Sequence, residues 1–168
     1  MHATVARDPG SICPDTLFFK WLLQAADSRV GAQHEEHATR HTNMPIRGQQ
    51  YTREEIAAAH GGSIIEYLPR AGGRVVCACL RSDPDYNPEA PRVILPGRGR
   101  DIEESAAMLV DQHGPIPVYL KRATNAWEYV GDYEVESSSR LPADIKRYEE
   151  QTGRAVTRAI FMREAHRP

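Results

Sequence analysis

The sequence predicts an α+β domain, a small curved sheet or open β-barrel with flanking helices. After a capped helix near Tyr51, the segments follow in the order β-β-β-α-β-β-α-β, which groups strands instead of alternating them with helices. The strand-like runs are short and bounded by Gly, Pro and Asn turns. A chain of 168 residues has room for one core and an appendage, but not for two full domains.

"PDTLFFKWLLQAADS" reads as a helix, with Asp15 or Thr16 positioned to accept its free N–H groups and Phe18, Trp21 and Leu22 at helical spacing. Residues 28–50 lack an apolar period and carry a Pro and two glycines, so residues 1–50 read as an N-terminal helix and polar linker, and 51–168 as the main domain. "YTREEIAAAHGG" is a helix with Thr52 as N-cap, Glu55 completing a capping box and Gly61–Gly62 as the stop. "SIIEYLP" and "GRVVCACLR" read as a hairpin around Arg70–Gly73, and a polar loop leads to the strand "RVILP". In "GRGRDIEESAAMLVDQHGP" the acids Asp101, Glu103 and Glu104 crowd the first turn, Ile102, Ala106 and Leu109 form a stripe, and Gly114–Pro115 ends the helix. "IPVYLKR" and "WEYVGDYEVES" are strands around "ATNA", "LPADIKRYEEQTG" is a helix stopped by Gly153, and "AVTRAIFMREA" is a last strand or a strand-to-helix transition.

Composition narrows the function. A 40% apolar and 26% charged chain without a 20-residue apolar run is that of a globular protein with no membrane-spanning helix. The N-terminus lacks the apolar segment of a secretory signal, which makes the cytosol the expected compartment. Cys13, Cys77 and Cys79 are too few for a disulfide framework; the latter two sit two apart in a strand and read as core thiols. With a net charge of −2, nothing draws the whole molecule to a polyanion, so any nucleic-acid contact must use a local basic surface.

The chemistry-bearing motifs are few. His34, His37 and His41 fall in "HEEHATRH"; His37 and His41 have the spacing to share a zinc, but the metalloprotease pattern needs two residues between Glu and the second His, and "HEEH" has one. The stretch reads as solvated linker, and no metal or cofactor is expected. "GRGRD" lacks the third glycine of a dinucleotide fingerprint. At a helix start it can bind an anion with Arg98 and Arg100 beside the free N–H groups, or Asp101 can cap the helix and occupy them; both readings stand. Lys121 and Arg122 end a strand and project to opposite sides. Arg98, Arg100, Lys121 and Arg122 are the candidate phosphate-binding residues, with a merely solvated surface as the alternative, since residues 92–122 carry nearly balanced charge.

"WEYVGDYEV" concentrates aromatic residues in a chain that is only 7% aromatic. Strict alternation puts Trp127, Tyr129, Gly131 and Tyr133 on one face and Glu128, Val130, Asp132 and Glu134 on the other. This is either a half-buried core strand or a pocket for a flat ligand, since a glycine inside a strand marks a bulge or a close ligand approach. Aromatic walls with one carboxylate suit an extruded base, but Asp132 reaches that face only if the strand bulges at Gly131.

The run from "YTREEI" through "VVCACLR", "VILPG" and "GPIPVYLKRATNAWEYVGDYEV" resembles a bacterial domain found beside HNH-type nucleases. "WEYVGDYEV" is similar to the corresponding strand of SRA and related PUA-like domains. The resemblance covers residues 51–136 and implies a barrel-like module that reads modified DNA, most often 5-substituted cytosine such as 5-methylcytosine, in an aromatic pocket. It implies base-binding roles for Tyr129, Gly131, Asp132 and Tyr133, to which Trp127 is added from the alternation, and a setting in restriction or DNA-modification response with a partner nuclease. The chain carries no nuclease or hydrolase signature, so a DNA-binding reader is expected in preference to an enzyme. Two alternatives stay open: a non-catalytic protein-interaction or regulatory module whose aromatic strand is structural core, and an enzyme acting on a modified nucleotide through Asp132 or Glu128.

Overall fold

The computed structural model describes residues 44–165. The helix expected at 14–28, Cys13, and His34, His37 and His41 lie outside the described residues. Among those described, a two-residue strand β1 (Gln50–Tyr51) leads into helix α1 (Arg53–His60). The capping box is complete: the Glu55 N–H donates to the Thr52 hydroxyl at 3.2 Å and the Thr52 N–H to the Glu55 carboxylate at 2.7 Å. Loss of such a cap costs about 0.5–2 kcal/mol.

"SIIEYLP" does not form the expected strand; residues 63–69 are irregular. The cause is a tertiary contact, because the buried Arg53 guanidinium takes the carbonyls of Ile64 at 2.7 Å, Ser63 at 3.0 Å and Glu66 at 2.6 Å. Those carbonyls are thereby lost to a sheet ladder. The hairpin shrinks to β2 (Arg70–Ala71) and β3 (Arg74–Val75) around Gly72–Gly73, and β4 (Ala78–Leu80) follows as a separate strand.

Strand β5 (Val93–Ile94), helix α2 (Arg100–Asp111), the strands β6 (Ile116–Ala123) and β7 (Ala126–Ser139), helix α3 (Pro142–Thr152) and strand β8 (Ala159–Glu164) complete the described chain. The sheet runs β4-β6-β7-β8-β5, with β1 also pairing with β7, and remains unclosed; β4 and β6 are parallel and the other pairs antiparallel. Together with its three helices this is the mixed, curved-sheet α+β architecture expected. Gln112, just after α2, pins β3 by exchanging two hydrogen bonds with the Val75 backbone, at 2.9 and 3.0 Å.

Strand alternation divides the core. Ile116, Val118 and Leu120 of β6 pack with Ala106 and Leu109 of α2, Leu80, Ile94 and Ile160. Tyr119 points the other way, into a cluster with Ile56 of α1, Cys77, Cys79 and Tyr129. Cys77 and Cys79 are thus buried free thiols on one face, as their spacing indicates. A third cluster seats Tyr148 of α3 against Val93, Leu95 and Ala159. Each fully buried Leu or Ile in these layers contributes about 1.5–3 kcal/mol.

Candidate nucleic-acid interface

The register of β7 corrects the face assignment. Trp127 lies opposite Lys121 and Tyr129 opposite Tyr119, but Gly131 lies opposite Val118, leaving Val130 as an extra residue. This is a β-bulge, which reverses the alternation beyond it. Asp132, opposite Pro117, therefore joins the face of Trp127 and Tyr129, where it accepts a 2.6 Å hydrogen bond from the Tyr129 hydroxyl. Tyr133 does not share that face; it lies opposite Ile116 and packs with Val118, Ile116 and Ile160. Gly131 permits the bulge, since its φ of 130° is strained for any residue with a Cβ.

Tyr129, Gly131 and Asp132 border a polar niche closed by a 2.6 Å ion pair between Arg47 and Glu164. Tyr129 is only 5% exposed and Tyr133 7%. Both rings are core-packed. His60 approaches the same cluster from α1, its Nε2 2.7 Å from the Tyr119 hydroxyl, and burial lowers its pKa although the charge of Asp132 opposes the shift.

Trp127 belongs to a different concavity. A cavity of about 420 Å³ opens where α1, the 63–69 segment, β4 and residues 81–87 and 95–97 meet, walled by Tyr67, Tyr86, Trp127, Leu80 and Leu95. The Arg53 guanidinium lies 5.2 Å from the Trp127 ring centroid and the Lys121 ammonium 5.9 Å from it. Arg81 stacks 3.8 Å above Tyr86 and Arg154 approaches the same ring at 5.8 Å. Arg154 also donates to the carbonyls of Asp85 at 3.0 Å, Tyr86 at 2.6 Å and Leu95 at 2.6 Å, and the Asn87 side chain receives the Leu95 N–H at 2.8 Å. The loop bearing Tyr86 is thus fixed, although that ring is 41% exposed. Burial pushes the Tyr67 phenol up to about 12, and its hydroxyl donates to the Ile102 carbonyl at 2.9 Å. Glu66 is among the wall residues, and its carboxylate is bonded to Arg70 at 3.1 Å. At the rim Ile65 is 88% exposed.

The four phosphate candidates divide. Arg98 and Arg100 are exposed, and Arg98 follows Gly97, a residue of the cavity wall. Lys121 is exposed beside Trp127, whereas Arg122 is bound to Glu128 at 2.7 Å on the opposite side of β6. Asp101 does not cap α2. Gly99 is the N-cap and donates its N–H to the Glu103 carboxylate at 3.2 Å, so a carboxylate sits at the helix start, though not the expected one.

Sequence reasoning missed Arg53, Tyr67, Arg81, Tyr86 and Arg154. Tyr86 alone had a local signal, an aromatic ring within the polar loop "SDPDYNPEAP". Among the described residues no group of His, Cys, Asp or Glu is arranged to hold a metal, and no helix is long and apolar enough to cross a membrane.

Comparison with known proteins adds three findings. No curated protein matches the chain. The crystal structure of the SUVH5 SRA domain in complex with hemi-methylated CG DNA superposes with a TM-score of 0.51 at 14% identity, over 75% of this chain and 92% of that one. The fold is therefore SRA-like. A family model described as "Domain of unknown function (DUF6697)" matches residues 50–167, and the chain belongs to that family.

Proposed function

We propose that this domain binds DNA carrying a modified base, a 5-substituted cytosine, and that the base enters the cavity between Trp127, Tyr86 and Tyr67. The carrying observation is that cavity: about 420 Å³, apolar-walled, with a half-exposed tyrosine at its mouth held under a guanidinium. Flipped bases are held in snug pockets by aromatic stacking and polar contacts to their edges. The SRA-like fold, found also in a domain crystallised with hemi-methylated DNA, supports the same reading.

In this proposal Trp127 keeps the stacking role first assigned to it, while Tyr129, Gly131, Asp132 and Tyr133 shape and support β7 without touching the base. Glu66 takes the acceptor role for the exocyclic amine in place of Asp132, since Glu66 is a residue of this cavity and Asp132 borders the other niche. Arg98, Arg100 and Lys121 contact phosphates, and Arg122 contributes less because Glu128 already neutralises it. Ile65 at the rim fills the gap left by the extruded base, as apolar wedges do when they separate base steps. A role in restriction or DNA-modification response beside a nuclease is the biological setting proposed.

Fluorescence anisotropy with duplexes that differ only in one central cytosine, plain, 5-methylated or 5-hydroxymethylated, at two salt concentrations tests the proposal. Preference for a modified duplex at both concentrations is expected. Equal binding to all three, or binding to none, refutes it.

A further inference from the structure

Arg140 and Arg158 stand at the end of the β7–β8 ladder. The last described pair, Ser139 opposite Ala159, places residues 140 and 158 side by side across the two strands. Residues directly opposite one another project to the same face. Arg158 shares the alternation of Ile160 and Met162, which face α2. Burial holds the Arg158 guanidinium below its ordinary range and the nearby charge of Arg140 adds to the effect; Asp111, at the end of α2, is the acid that opposes it.

Among the described residues neither arginine is within ion-pair distance of a carboxylate. Arg47, Arg70, Arg81, Arg122 and Arg163 are each ion-paired, whereas Arg92, Arg98 and Arg100 share the state of Arg140 and Arg158. Two adjacent like charges repel unless an anion lies between them. The position is also informative. Thr157, next to Arg158, donates its N–H to the Pro96 carbonyl at 2.9 Å and its hydroxyl reaches the Gly97 carbonyl at 3.4 Å. Pro96 and Gly97 belong to the cavity wall. The backbone bearing Arg158 is thus tied to the cavity-wall segment that precedes Arg98, and Arg140 lies beside Arg158.

We infer that Arg140 and Arg158 form a phosphate-binding site that takes a backbone phosphate of the same nucleic-acid strand whose base occupies the cavity. The inference rests on the proposed function for the source of the phosphate, but not for the site itself. The two arginines come from opposite ends of the β7-α3-β8 connection, so neither the sequence pattern nor the aromatic cavity points to them. They position the strand and carry no sequence information, as phosphate contacts do.

The test measures duplex affinity of the full chain against salt for Arg140→Ala, Arg158→Ala, the double variant, and Lys146→Ala as a control for loss of an exposed charge. Each arginine that contacts a phosphate should reduce the slope of log affinity against log salt by about 0.9. Modified and plain duplexes should weaken alike, so that their affinity ratio stays constant, and Lys146→Ala should keep the wild-type slope. The double variant should melt at or above the wild-type temperature, because a repelling pair has been removed. An unchanged slope, or one no different from that of Lys146→Ala, overturns the inference, as does a slope lost only together with the fold.

Inorganic tripolyphosphate separates the two claims. If the wild type binds no duplex, the DNA-reading proposal fails. A rise in melting temperature with tripolyphosphate that is absent in the double variant then upholds the anion site, and no rise in the wild type overturns it as well.

Discussion

Tyr86→Ala and Tyr129→Ala form a pair that separates ligand wall from core. Tyr129 is 5% exposed, bonded to Asp132 at 2.6 Å and packed among Ile56, Cys77, Cys79 and Tyr119. Truncating a buried aromatic ring costs about 3–5 kcal/mol through lost transfer energy and the cavity left behind. For a domain of this size about 4 °C is lost per kcal/mol, so the melting temperature should fall by about 12–20 °C. Tyr86 is 41% exposed, and its ring contact with the guanidinium of Arg81 at 3.8 Å is worth about 0.5–1 kcal/mol at exposed sites. Its loss should lower the melting temperature by only about 2–4 °C. Binding should show the opposite order. A stacked base is worth about 1–3 kcal/mol, which predicts a roughly 5- to 150-fold weaker affinity of Tyr86→Ala for the modified duplex. Melting followed by circular dichroism and anisotropy at a temperature where both variants are folded supply the readouts. The reasoning is refuted if Tyr86→Ala destabilises as much as Tyr129→Ala, or if it binds the modified duplex like wild type.

Two further outcomes are expected. Gly131→Ala places a Cβ no closer than 3.7 Å to its neighbours, so the cost comes from a backbone φ of 130°, about 1–3 kcal/mol, read as a lower urea midpoint at unchanged m-value. His60 has a lowered pKa in the folded state, so the unfolded chain takes up its proton first as pH falls. Its contribution to stability is therefore complete above the ordinary histidine value of about 6.5 and is lost on descent from there towards the folded-state value. Urea denaturation at pH 7.5, 6.5 and 5.5 should show this decline, and His60→Gln should remove that part of it.

The helices were legible because their signals are local. Thr52 and Glu55 cap one, Gly153 in the left-handed conformation stops another, and the stripe through Ala106 and Leu109 sets the buried side of a third. The strand expected at "SIIEYLP" was not, since what dissolves it is a guanidinium arriving from α1. An arginine buried to 8% exposure leaves no trace in an apolar pattern it does not belong to. Propensity in that stretch was overridden by tertiary hydrogen bonding.

Legibility of the site broke down for a related reason, at a single residue. Alternation is a two-valued code, and one inserted residue inverts it for everything downstream. The condition that Asp132 could face Tyr129 only through a bulge was available from the sequence, and the bulge is there, with Val130 as the extra residue. The same shift that brings Asp132 in must send Tyr133 out, so Trp127 cannot share one wall with both tyrosines. It turns instead to a cavity whose other sides come from residues 53, 64–67, 79–81, 86 and 95–97, segments with no common period. Arg154 shows how such a site is held: it lies far along the chain and positions Tyr86 by gripping the carbonyls of Asp85, Tyr86 and Leu95. A glycine in an aromatic strand correctly indicated a special backbone, but its effect is to redirect the neighbouring side chains, and the room for a ring lies one segment away.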